Sequence, residues 1–230
     1  MSKKVSIHQP QYLPYPGFFN KVIQSDIFVV LDNTQYDQRF TNRNKILTST
    51  GTSWLTIPID KHQHFKLNRD VEIHDNYWQK THWKSIVYSY SISNYFHLYH
   101  NFFETFYKQN WKNLFDLNYN LLTKILEWLN IDVKVVKESD LQIEGKQTER
   151  LINICHAVNA ETYISGIGGK NYLDVSKFDN GNVSLIYQDY TASSYKQNFT
   201  DNFIPNLSII DLLFNMGPET LKVITGKPTP

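Results

Sequence analysis

A rigid polar turn lies between two apolar segments at the start of the chain. The short strand pattern Val5-Ser6-Ile7 runs into His8-Gln9-Pro10-Gln11-Tyr12-Leu13-Pro14-Tyr15-Pro16-Gly17, and a helix-like segment from Gly17 to Gln24 leads to a second strand, Ile27-Phe28-Val29-Val30-Leu31. Prolines fix φ and withhold a backbone donor, so Pro10, Pro14 and Pro16 stiffen the turn and give His8 a definite direction. The second strand is apolar throughout, as in a buried parallel strand covered on both faces. Strand, crossover helix and strand together specify an α/β sheet, and in such sheets ligands bind beyond the carboxyl ends of the strands. His8 and Asp32 both stand at such ends.

Residues 32 to 45 read as a polar loop following the second strand. His8 and Asp32 are the candidate catalytic pair: imidazole titrates near neutral pH and suits general acid or base chemistry, and Asp32 can orient it or hold substrate. Gln9, Gln11, Tyr12, Asn33, Gln35, Tyr36 and Asn42 are candidate substrate contacts. Arg39, Arg43 and Lys45 are candidate anion binders, since guanidinium forks and ammonium groups recognise phosphate or carboxylate oxygens. The plainer alternatives are a structurally satisfied His8, an Asp32 that caps a turn, and a solvated connection.

A second candidate site follows the strand pattern near residue 163, in Tyr163-Ile164-Ser165-Gly166-Ile167-Gly168-Gly169-Lys170. Glycines let backbone N–H groups approach an anion closely, so Ser165, Gly166, Gly168, Gly169 and Lys170 are read as a phosphate cradle. The glycine spacing fits neither the Walker motif nor the dinucleotide fingerprint, and a plain strand-to-helix turn is the alternative. The pairs His62 with His64 and His97 with His100 lack the Cys or carboxylate partners of a metal site, so no metal is expected, nor any cofactor. Cys155 sits on the apolar face of a helix and reads as a buried thiol.

Three segments and a tail follow from the pattern. Residues 1–76 form an N-terminal α/β segment that includes a strand at 53–59, ended or confined to an edge by Pro58, and a β segment at 71–73. Residues 77–130 form a helical subdomain, with aromatic side chains from Trp78 to Phe115 at near-helical spacing and mostly in its core. Residues 131–225 return to α/β, with strands near 132–136, 162–165 and 183–187 and helices near 148–158 and 208–215, and complete the same sheet. Residues 226–230 read as a disordered tail. The fold class is therefore α/β: a mostly parallel, Rossmann-like sheet with an aromatic-rich helical insertion. A formal net charge of +1 over 230 residues argues against general nucleic-acid binding. No segment is apolar and long enough to enter a membrane, and a single cysteine and no signal-peptide core fit the cytoplasm. The oligomeric state is not encoded in any of these patterns.

The runs HQPQYLPYPGFFNK, SDIFVVLDNTQYDQRFTNRNKI and WLTIPI, followed by SGIGGKNYL and LSIIDLLFNMG, resemble the WbqC-like protein family over nearly the whole chain. That resemblance implies a part in bacterial O-antigen or other surface-polysaccharide biosynthesis. Combined with the candidate site, it leads to the expectation of a transferase acting on a nucleotide-linked, amino-type sugar, by acyl or aminoacyl transfer with His8 as acid or base. A nucleotidylyltransferase-like enzyme and a non-catalytic sugar-binding or complex-forming protein of the same pathway are the alternatives.

Overall fold

The computed structural model describes residues 2–75 and 77–226. Asn76, at the expected first boundary, and residues 227–230 of the expected tail lie outside the described residues. In chain order, strand β1 (Lys4–His8), helix α1 (Pro16–Ile23) and strand β2 (Ile27–Val30) come first, then the strands β3 (Arg43–Thr48) and β4 (Gly51–Thr56). Helices α2 (Tyr77–Tyr90), α3 (Phe96–Lys108) and α4 (Leu114–Trp128) form the aromatic block. After it come β5 (Lys134–Lys137), α5 (Gln147–Ala157), β6 (Thr162–Ser165), α6 (Val175–Asn180), β7 (Ser184–Tyr187), α7 (Ile209–Met216) and α8 (Thr220–Thr225).

Five strands form one parallel sheet in the order β5-β2-β1-β6-β7. The chain thus builds outward from β1 in one direction through β2 and β5, then starts again on its other side with β6 and β7. Strand order reverses between β1 and β6, and a doubly wound sheet opens its ligand crevice at such a point. Alternation along each strand divides the apolar side chains between two faces. Val5, Ile7, Ile27 and Val29 pack with α5 and α6 residues such as Ile154 and Phe178. Phe28 and Val30 face Phe18, Phe19, the helical block and α7. The helices α2 to α4 share this second core, so Phe103, Phe106 and Tyr90 pack in the same cluster as Phe28 and Phe214.

Four local features differ from the sequence reading. The polar loop after β2 ends by Asn42, because Arg43–Thr48 pairs antiparallel with Gly51–Thr56 as a separate two-stranded hairpin. Within β3 the partly exposed positions, Arg43, Lys45 and Thr48, are polar, while Asn44, Ile46 and Leu47 are buried, so half its residues look like loop. Strand β4 stops at Thr56, short of the expected end at residue 59, and Val71-Glu72-Ile73 contributes one isolated bridge between Glu72 and Asn113. Helices α6 and α8 are each six residues long, too short for a periodic pattern to announce them.

The stiff turn after β1 is held from several directions. Leu13 is fully buried with φ of 45°, a left-handed conformation rare for a large side chain. Its carbonyl accepts Asn44 Nδ2 at 2.6 Å and Ser208 Oγ at 3.0 Å, the Pro14 carbonyl accepts Ile209 N at 2.8 Å, and Tyr12 N donates to the Phe40 carbonyl at 3.0 Å. Hairpin, α7 cap and the 32–42 loop therefore set the conformation of the turn that carries His8. Replacing buried Asn44 with Ala removes one of these donors and is expected to cost about 1–3 kcal/mol of stability. Urea unfolding checks this, and a midpoint equal to that of the unaltered protein contradicts it.

Candidate functional site

Beyond the ends of β1 and β6 lies a cleft of about 650 Å³. His8, Gln9 and Gln11 line it from the stiff turn, Arg39, Phe40 and Thr41 from the next loop, Gly168 and Tyr172 from the glycine-rich segment, and Gln147 and Arg150 from the first turn of α5. His8 and the glycine-rich segment therefore share one cavity, as the strand reversal between β1 and β6 requires.

His8 Nδ1–H donates to the Gln9 carbonyl at 2.9 Å, which leaves Nε2 as the ring's lone-pair nitrogen. No hydrogen bond to Nε2 is formed among the described residues. The ring packs edge-on against Phe18, with centroids 5.3 Å apart. Burial, the positive charge of Lys21 and, in opposition, the Gln9 carbonyl together push its pKa down to about 3. Lys21 is itself buried on α1, with Nζ donating to the Ile7 carbonyl at 3.3 Å, and desolvation lowers its pKa to about 7. At neutral pH His8 is therefore an uncharged Nδ1–H imidazole with a free lone pair on Nε2.

The remaining candidates divide clearly. Gln11 Oε1 is buried without a partner among the described residues, a spare acceptor in the cleft wall. Arg39 is strongly exposed and loosely paired with Asp37 at 3.6 Å. Asp32 is turned away from His8: its carboxylate accepts Ser139 N at 2.9 Å and Ser139 Oγ at 2.5 Å, fastening the turn after β5. Tyr12 is buried outside the cleft, its hydroxyl between His82 Nδ1 at 3.0 Å and the Tyr107 hydroxyl. Asn42 donates to the Ile57 carbonyl at 2.8 Å inside the protein, Gln35 to the His64 carbonyl at 3.0 Å, and Tyr36 is buried. The Asn33 carbonyl accepts Arg150 Nη2 at 3.1 Å. Arg43 and Lys45, being on β3, lie outside the cleft lining.

The glycine-rich segment is partly committed to itself. Ser165 is buried and donates to the Gly166 carbonyl at 3.0 Å, while Lys170 Nζ lies 5.4 Å from the Tyr187 ring centre. A Cβ on Gly169 would come within 2.1 Å of Ser165 Oγ, so this glycine serves close packing; Gly166 and Gly168 have open space where a Cβ would be, and Gly168 lines the cleft.

Arg150, Gln147, Phe40 and Tyr172 escaped the sequence reading. For the first two a topological signal existed: a helix that follows a parallel strand begins at the carboxyl end of the sheet, so the first turn of α5 faces the crevice. Arg150 donates Nε to the buried Glu138 carboxylate and Nη2 to Asn33, which ties α5 to the end of β2. Among the described residues no three His, Cys, Asp or Glu side chains gather as a metal site needs, and no helix is long and apolar enough to cross a membrane.

Fold and cleft define a Rossmann-like α/β protein with its ligand crevice at the strand-order reversal. The chain belongs to the WbqC-like protein family, whose model matches residues 9–223. It is similar to "Uncharacterized protein Rv1507c" of Mycobacterium tuberculosis (strain ATCC 25618 / H37Rv), at 34% identity over 221 residues, covering 94% of this chain and 95% of that one. No solved structure matches it significantly.

The depressed His8 pKa has a defined sign. Relative to an ordinary value of 6.5, the folded state disfavours the imidazolium, so the contribution of neutral His8 to stability is present above about pH 6.5 and lost as pH falls toward 3. His8 is expected to stay neutral, with the proton on Nδ1, from pH 5 to 8 in nitrogen-15 NMR spectra, and a His8→Gln variant to lose less stability between pH 6.5 and 3 than the unaltered protein. Titration of His8 near 6.5 contradicts both statements.

Proposed function

We propose that the protein is a transferase that moves an acyl or aminoacyl group onto the amine of a nucleotide-activated sugar, with His8 as the general base. The observation that carries this is the uncharged His8 ring, its Nδ1–H fixed on Gln9, in a cleft whose wall adds amide groups, a spare acceptor on Gln11 and the exposed Arg39 guanidinium. Neutral amide and hydroxyl groups beside aromatic rings suit a sugar, and Arg39 with the open backbone at Gly168 suits its phosphates. Asp32 acts from behind the site, through the Ser139 turn. Family membership supports a place in bacterial surface-polysaccharide assembly.

In this reaction the sugar amine, as the free base, attacks the carbonyl carbon of an activated acyl ester or thioester. The new C–N bond forms as the C–O or C–S bond breaks. His8 Nε2 takes the proton that the nitrogen sheds and returns it to the departing oxygen or sulfur, so the imidazole ends as it began. A ring held neutral needs no prior deprotonation, and closer approach of the substrate phosphates raises its proton affinity when the proton must be accepted.

A thermal-shift screen of nucleotide sugars against the corresponding free sugars tests binding, because occupancy at a hundredfold excess over Kd stabilises by roughly 2.7 kcal/mol. Nucleotide sugars are expected to stabilise the protein more than free sugars, and Arg39→Ala to narrow that difference. His8→Ala is expected to keep ligand binding and to lose about 10²- to 10⁴-fold in transfer rate, followed by mass spectrometry of the acylated sugar. A folded His8→Ala protein with full transfer activity refutes the role of His8.

A further inference from the structure

The outer face of the β3–β4 hairpin carries an aromatic and cationic group that the cleft alone does not explain. Trp54 on β4 stands opposite Lys45 on β3 and remains 42% exposed. The Arg43 guanidinium lies 4.6 Å and Lys45 Nζ 5.1 Å from its ring centre. Phe40, 43% exposed, lies 6.2 Å from Trp54 between ring centres, and Phe40 is also part of the cleft lining. The patch therefore continues the cleft outward over the lip that Phe40 forms.

Two features of this patch select its occupant. Among the described residues no carboxylate forms an ion pair with Arg43 or Lys45, so the patch presents two cations around large exposed rings, which an anion with an aromatic face complements. The patch is also fixed in place before any ligand arrives. Arg43 Nε donates to the Arg39 carbonyl at 3.0 Å, Leu47 N to the Tyr90 hydroxyl at 3.1 Å, and Ser208 N to the Lys45 carbonyl at 2.8 Å, so the hairpin is anchored to the loop at the cleft, to α2 and to the cap of α7. A preformed stacking surface forfeits little entropy when it binds.

Building on the transferase reading above, we propose that Trp54 and Phe40 form a stacking platform for the nucleobase of the activated sugar, with Arg43 and Lys45 facing its phosphates. The sugar then points inward over Phe40 toward His8, and the base points outward onto the hairpin. Because ring faces recognise any base, the platform tolerates several nucleobases and leaves discrimination to the sugar end.

Isothermal titration of UDP, CDP and GDP against glucosamine 1-phosphate tests the platform. Trp54→Ala is expected to weaken the nucleoside diphosphates by roughly 5- to 150-fold while leaving glucosamine 1-phosphate unchanged, and Trp54→Phe to restore most of the loss. Phe40→Leu provides a second, independent truncation, and circular dichroism confirms the fold of each variant. His8→Ala should leave these nucleotide affinities unaltered, which separates the platform from the chemistry. Unchanged nucleotide binding in Trp54→Ala, equal losses for both ligand classes, or a protein that binds glucosamine 1-phosphate but no nucleotide each overturn the platform and leave His8 to its own test. Tighter binding of a single-stranded RNA oligonucleotide than of any mononucleotide also overturns it, in favour of a nucleic-acid surface.

Discussion

The carbonyl of Leu13 is the fixed point of the cleft. A buried leucine at positive φ does not hold its conformation by itself; side chains from a hairpin and from the cap of α7 hold it there, each from a distant part of the sequence. Strain of about 1 kcal/mol or more persists only where the surroundings over-determine it. Here they do, and the result is a His8 turn whose direction is set by tertiary structure as much as by its prolines. Tyr12, buried between His82 and Tyr107, adds a third anchor from the helical block. The aromatic helices are therefore part of how the site is built, although none of them lines it.

The electrostatics of the cleft follow from the same enclosure. Burial disfavours the charged form of both His8 and Lys21, and the Lys21 charge lowers the His8 pKa further. The nearby carboxylates have other partners: Asp32 holds Ser139, Glu138 holds Arg150, and Asp37, in the cleft lining, pairs with Arg39. The cleft thus contains a neutral imidazole that, among the described residues, is hydrogen-bonded to no carboxylate that would stabilise its protonated form. An anion bound beside such a ring would raise its proton affinity, because it would offset the cost of the imidazolium charge.

Much of the architecture was legible in the sequence. The unbroken apolar run at 27–31, the patterns near 134, 163 and 185, and the stiffened His8 turn follow from local rules, and the parallel sheet with its helical block is the one expected. What local pattern could not supply was direction. Asp32 lies at a strand end as foreseen, yet its carboxylate points toward the turn after β5, because Ser139 offers two donors there. Tyr12 and Asn42 look like surface polar residues in a loop, and both are drawn inward, Tyr12 by His82 and Tyr107 and Asn42 by the Ile57 carbonyl. Arg43 and Lys45 read as loop cations because an exposed strand face shows half its residues as polar. Arg150 and Gln147 entered the cleft through topology alone, from the rule that helices begin where parallel strands end.

The pairing of β1 with β6 joins segments some 160 residues apart, as the contact between Ser2 and Thr162 marks. Closing so long a loop carries an entropic cost that local contacts do not. His8 and Gly168 lie on opposite sides of that seam. The cleft therefore needs both halves of the sheet: without β6 and the segment after it, the wall that Gly168 and Tyr172 supply opposite His8 is missing.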